Sequence, residues 1–135
     1  MTSSVGTLRY SPKLLGSISS KWWSILDVDP MIGKYFRHLF HIGIWRCRVM
    51  QHPAWSEHVS VVRNEEPDDN HKHLWEKHAG VDIGFDYEPE VRSDGKYFWL
   101  PVRCERLLDI REELGLPRDP EFGLHLTIGN VRELP

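Results

Sequence analysis

The chain has 135 residues, 40% of them hydrophobic and 27% charged, and a net charge of −3. That length suits one domain, residues 1–135, and is too short for two of ordinary size, while the composition excludes a disordered or membrane-embedded chain. The acidic balance argues against a broad surface for long nucleic acid, because neutralising phosphates takes concentrated Lys and Arg; a small phosphate-bearing ligand needs only a local positive pocket.

Taken in chain order, residues 1 to 28 are the least regular, with Pro12 disfavouring helix at the residue before it. No apolar run there or elsewhere approaches the roughly 20 residues that cross a bilayer, and "MTSSVGTLRYSPKLLGS" has no signal-peptide core, so no membrane partner and a cytoplasmic location are expected. "DPMIGKYFRHLF" offers Asp29 as N-cap and Pro30 at the first helical position, with Ile32, Tyr35, Phe36, Leu39 and Phe40 on one stripe, which predicts a helix. "IGIWRCRVM" (42–50) alternates like a strand, "HPAW" breaks it, and "EHVSVV" begins another. "EPDDN" caps a predicted two-turn helix, "HKHLWEKHAG", that Gly80 ends. "VDIGFDYEPEV" and "KYFWLPVRC" flank "RSDG" as a hairpin. "ERLLDIREELGL" is an amphipathic helix through Leu107, Leu108, Ile110 and Leu114, stopped by Gly115 and Pro117. A last strand carries "LHLTIGN". Helices between strand pairs predict an α+β fold. Cys47 and Cys104 stand far apart without a CxxC, which points to two structural thiols rather than a disulfide framework or a metal site.

Two of the eight histidines have a hydroxyl two residues on: His58-Val-Ser60 and His125-Leu-Thr127. About one such triplet arises by chance in a chain of this composition, and a lone His-x-Ser/Thr on a half-buried strand is ordinarily a solvated surface pair. The setting adds information. In each strand the alternation puts the imidazole and the hydroxyl on one face and the aliphatic residues on the other. If the two strands pair about a pseudo-two-fold axis, the pairs converge in one groove suited to a phosphodiester. One imidazole can then take a proton from an attacking hydroxyl or water while the other gives one to the leaving oxygen. Ser60 and Thr127 can hold the non-bridging oxygens as charge builds. This chemistry needs no metal and no cofactor.

The paired motifs resemble the 2H phosphoesterase superfamily, a bilobal α+β fold in which two such motifs flank a central cleft between antiparallel sheet halves with helices outside. The phrases "RYSPKLLG", "HVSVVRNEEP", "HKHLWEKHAG", "KYFWLPV", "LLDIREELGLP" and "LHLTIGN" are similar to one branch of it, the small phage proteins that degrade the cyclic oligonucleotide signals of bacterial CBASS defence. The resemblance spans nearly the whole chain. It implies metal-independent hydrolysis of 3′,5′ linkages in cyclic di- and trinucleotides such as 3′,3′-cGAMP inside the host cytoplasm. It also makes His58 and His125 the acid/base pair, with Ser60 and Thr127 as the phosphate-holding hydroxyls. Ser60 departs from the family's Thr by one methyl. Protein partners do not follow from it. Two alternatives stay open: a 2H esterase acting on RNA 2′,3′-cyclic phosphate ends, and a sponge that binds cyclic nucleotides without cleaving them.

Bases need aromatic platforms, and Tyr10, Trp75 and Tyr87 are the candidates for substrate stacking; Trp22, Trp23, Trp45 and Trp99 read as core or groove wall. Lys13, Arg63, Lys72 and Arg103 are candidate phosphate contacts. His71 and His78 lie seven apart, without the i,i+4 spacing of paired helix ligands, so no metal site is expected. Glu65, Glu66, Asp68 and Asp69 read as a solvated acidic turn.

Overall fold

The computed structural model describes residues 1–11, 22–42, 50–51 and 57–131. Eight strands, β1 (Thr2–Tyr10), β2 (Trp23–Asp27), β3 (Met50–Gln51), β4 (His58–Arg63), β5 (Asp82–Tyr87), β6 (Arg92–Ser93), β7 (Tyr97–Arg103) and β8 (His125–Val131), combine with helices α1 (Pro30–Ile42) and α2 (Glu105–Glu113). The fold is mixed α+β. Its strands pair antiparallel, and the pairings β1–β2–β4–β8–β7–β5–β1 return to their start, so the sheet closes into a barrel. Short β3 and β6 are appended to β8 and β7.

The alternation that defines these strands also fills the barrel. Leu8, Leu26, Val59, Phe85, Leu100 and Leu126 point inward and are almost completely buried in one continuous cluster. Each such side chain contributes about 1.5–3 kcal/mol by leaving water. β8 lies at the centre of this arrangement: β7 runs along one edge from Tyr97 to Pro101, and the other edge pairs first with β4 at Leu126 and then with β3 at Asn130 and Val131.

α1 begins as its sequence predicts, with the Asp29 carboxylate accepting the Met31 N–H at 2.9 Å. The helix is rolled from the expected stripe, however. Phe36 is buried and Ile32 and Phe40 pack against the core, whereas Tyr35 and Leu39 are exposed. The cause is Gly33, which faces the chain just before β4 so closely that a Cβ there would lie 2.5 Å from Glu57 Oε1. α2 buries Leu107 and Ile110, with Leu114 buried at its end, and stops at Gly115 in a left-handed conformation (φ +76°).

The expected two-turn helix at 71–80 is instead a single 3-10 turn, Lys72–Leu74, followed by further turns closed by i→i+3 bonds such as Lys77 N–H to the Leu74 carbonyl and Ala79 N–H to the Glu76 carbonyl. No side chain caps it at His71, and Gly80 at φ +80° turns its N–H onto the Leu8 carbonyl of β1. A segment this short, anchored to a strand at its far end, gains too little from helical propagation to offset nucleation. Of the strand expected at 42–50, Ile42 ends α1 and Met50 starts β3; residues 43–49, with Trp45 and Cys47, lie outside the described residues, as does Lys13.

Candidate active site

The two His-hydroxyl motifs lie on adjacent strands of the barrel wall. Val59 of β4 pairs with Leu126 of β8, both pointing inward and both completely buried. Counting outward from that antiparallel pair sets His58 opposite Thr127 and Ser60 opposite His125, all four on the outer face and all partly buried. The motifs thus face each other head to tail, each imidazole across from the other motif's hydroxyl. His58 and His125 are diagonal neighbours, a relation that spans roughly 7–8 Å between backbones and lies within reach of long side chains.

His125 is oriented by its own turn. Gly123 adopts φ +69°, a left-handed conformation that favours glycine, and its carbonyl accepts a hydrogen bond from His125 Nδ1 at 3.0 Å. A protonated Nδ1 on that carbonyl leaves Nε2 as the nitrogen that exchanges protons. On the β7 side Trp99 lies opposite Thr127 and Pro101 opposite His125, and the Trp99 ring meets the imidazole edge-on, 6.4 Å between centroids. On the β2 side Asp27 opposes His58 and buried Ile25 opposes Ser60.

Two arginines fix β4 from its ends. Arg37 of α1 donates from one Nη1 to Glu57 Oε1 at 2.8 Å and to the Ile128 carbonyl at 2.7 Å. It thereby joins the residue before His58 to the residue after Thr127. At the other end, Arg111 of α2 is completely buried, and its donors meet the Pro117 carbonyl, the Val61 carbonyl and both oxygens of Glu65. The hydrogen bonds from Arg111 hold the Glu65 carboxyl below its ordinary range. Glu65 therefore belongs to a structural ion pair and not to the solvated turn expected from sequence. Arg111 carried no signal in the sequence, since one Arg on an amphipathic helix looks like surface charge. Between the two anchors β4 has a bulge: Ile25 pairs with Ser60 but Ser24 pairs with Val62, so Val61 is the extra residue. The bulge returns Arg63 to the outer face, where its guanidinium lies 5.1 Å from the Trp23 ring.

Two cavities adjoin His125. One, of about 500 Å³, lies on the β4 side and includes Ser60, Arg63, Phe122 and His125. The other, of about 640 Å³, lies on the β7 side and includes Arg92, Trp99, Arg103, Phe122 and His125. Phe122 is 82% exposed and lines both. Its place in a loop rich in Pro, Gly and acidic residues gave no periodicity by which sequence reasoning could find it.

The three expected stacking aromatics are not brought to this groove. Tyr10 shares the inward parity of Leu8 on β1; it packs edge-on against Trp75 at 5.1 Å, and Trp22 also meets Trp75 edge-on at 5.2 Å. Trp75 is buried in the core, and burial pushes the Tyr10 hydroxyl's pKa up. Tyr87 shares the inward parity of Phe85 and meets Phe36 of α1. Of the candidate phosphate contacts, Lys72 is held by Glu66 and Asp69, which raise its pKa; Arg63 and Arg103 face the two cavities. His71 pairs with Asp68 and His78 with Glu113. Among the described residues no helix is long and apolar enough to cross a membrane.

Comparison of the chain with protein-family models, with curated proteins and with solved structures returned no match.

Proposed function

We propose that the chain is a metal-independent phosphodiesterase of the 2H type that hydrolyses 3′,5′ linkages of cyclic di- and trinucleotides, with the seam between β4 and β8 as the cleft of a bilobal 2H-like domain. The observation that carries this reading is the reciprocal pairing about Val59 and Leu126, which opposes each imidazole to the other motif's hydroxyl on one outer face. A lone surface histidine has no reason to be matched in this way.

In the proposed reaction one imidazole accepts the proton of a ribose 2′-OH as that oxygen bonds to the neighbouring phosphorus. The other, protonated, gives its proton to the 5′ oxygen as the P–O5′ bond breaks. Ser60 and Thr127 donate to the non-bridging oxygens, whose charge grows in the transition state. The products are a 2′,3′-cyclic phosphate and a freed 5′-hydroxyl; water then opens the cyclic phosphate with the roles of the two imidazoles reversed. In a phage-infected cell this reaction would remove the activator of a CBASS effector.

The test is incubation of purified protein with 3′,3′-cGAMP in excess EDTA, with the products resolved chromatographically. Conversion to linear product supports the reading. Intact nucleotide sinks it: co-elution with protein favours a sponge, and unbound nucleotide favours an esterase for RNA ends. Activity that survives combined loss of His58 and His125 would also sink it.

A further inference from the structure

Resting on the phosphodiesterase reading, we infer that the β7-side cavity is a nucleotide subsite, with the base stacked on Trp99 and Phe122 and its phosphate held by Arg103. Four observations converge. Strand parity puts Trp99, Pro101 and Arg103 on the outer face of β7, the same face as His125, and Arg92 of β6 pairs with Trp99 on that face. The cavity's volume of about 640 Å³ lies within the range of roughly 300–1,000 Å³ common to small-molecule sites.

The charges are also unevenly committed. Arg92 is paired with Glu88 at 3.0 Å, and the lining Glu105 is engaged by Arg118, whereas Arg103 has no carboxylate within ion-pair distance among the described residues. Arg103 is therefore the lining cation with charge to offer a phosphate. Asp119, also at the rim, leaves an acceptor for a base N–H.

Finally, Phe122 is a large aromatic that lines both cavities and is 82% exposed, so its ring is open to a base. The β4-side cavity repeats the pattern, with Arg63 in the place of Arg103. A cyclic dinucleotide thus has one cavity for each nucleotide, with the scissile phosphate at His125 where the cavities meet. Recognition is by face stacking and charge, which tolerates more than one base.

The test uses the silenced His58→Ala protein, since His58 lines neither cavity, and measures its affinity for 3′,3′-cGAMP by titration calorimetry before and after adding Phe122→Ala, Arg103→Ala or Trp99→Ala. Phe122 and Arg103 are exposed, so their removal leaves the fold intact, and Trp99→Phe serves as the variant that restores stacking. Each Ala variant should weaken binding at least about fivefold, the low end for one base–aromatic stack, and Trp99→Phe should recover most of it. Affinities equal to that of the parent would overturn the subsite, as would a parent that does not bind. Wild-type cleavage is read separately. Cleavage with unchanged KM in all three variants removes the subsite and leaves the chemistry, whereas weakened binding without wild-type cleavage keeps the subsite and removes the chemistry.

Discussion

β4 carries two kinds of polar group, and their settings differ in one respect. At its far end Arg111 is completely buried, yet each of its three guanidinium nitrogens donates to a carbonyl or to Glu65. At its near end His58 and Ser60, with His125 and Thr127 across the seam, stay partly exposed, and Ser60 and His125 line the adjoining cavities. A buried charge engaged in this way by carbonyls and a carboxylate holds the fold together and is closed off from a ligand. The imidazoles and hydroxyls of the seam are held in place on one face yet remain within reach of solvent.

Four measurements bear on this contrast. The largest effect falls on the seam: His58→Ala or His125→Ala should lower kcat on 3′,3′-cGAMP by about 10²–10⁴-fold, the range for one positioned acid or base, with an unfolding midpoint within a few degrees of wild type. A variant that lost activity only by unfolding would erase the distinction. Arg111→Met should do the reverse, costing about 3–5 kcal/mol in urea-unfolding free energy, because it strands Glu65 and the Val61 and Pro117 carbonyls; a loss below about 1 kcal/mol would show that the clamp is dispensable. Thr127→Val, which keeps shape and removes the hydroxyl, should cost about 10²-fold in kcat and little stability, as removal of one oxyanion donor does. The smallest effect is on pH dependence. The Glu65 carboxyl is lowered by Arg111, so its contribution is complete above its unfolded value near 4.5 and is lost as pH falls through the lower folded value. Unfolding free energies measured across that acid range should fall less steeply for Glu65→Gln than for wild type, and equal slopes would contradict the assignment.

Local pattern made β4, β8, α1 and α2 legible, since each has a clear period and α1 a clear cap. Barrel closure was not legible, because it depends on β8 pairing with β7 along one edge and with both β4 and β3 along the other. The faces of the two motifs could be read from alternation alone, and the structure adds that they lie across from one another. The inward side of Tyr10 was not legible, because residues 1 to 28 showed no clear period; it follows only from the parity that β1 gives it with buried Leu8. Phe122 was beyond reach as well: a loop residue has no period, and only its exposure beside His125 distinguishes it.

The extra residue at Val61 splits β4 into two segments with independent phase. Before it, the histidine and serine keep step with β8; after it, Val62 turns inward and Arg63 outward. A strand of strict period two could not contain the consecutive valines and still present both Ser60 and Arg63 on one side. Deleting this single residue would remove the bulge and restore strict alternation through Ser60, Val62 and Arg63, leaving the inward and outward sets of both segments as they are. Changes in chain length are therefore far less disruptive to the reactive pair when they fall after position 60 than when they fall between 58 and 60.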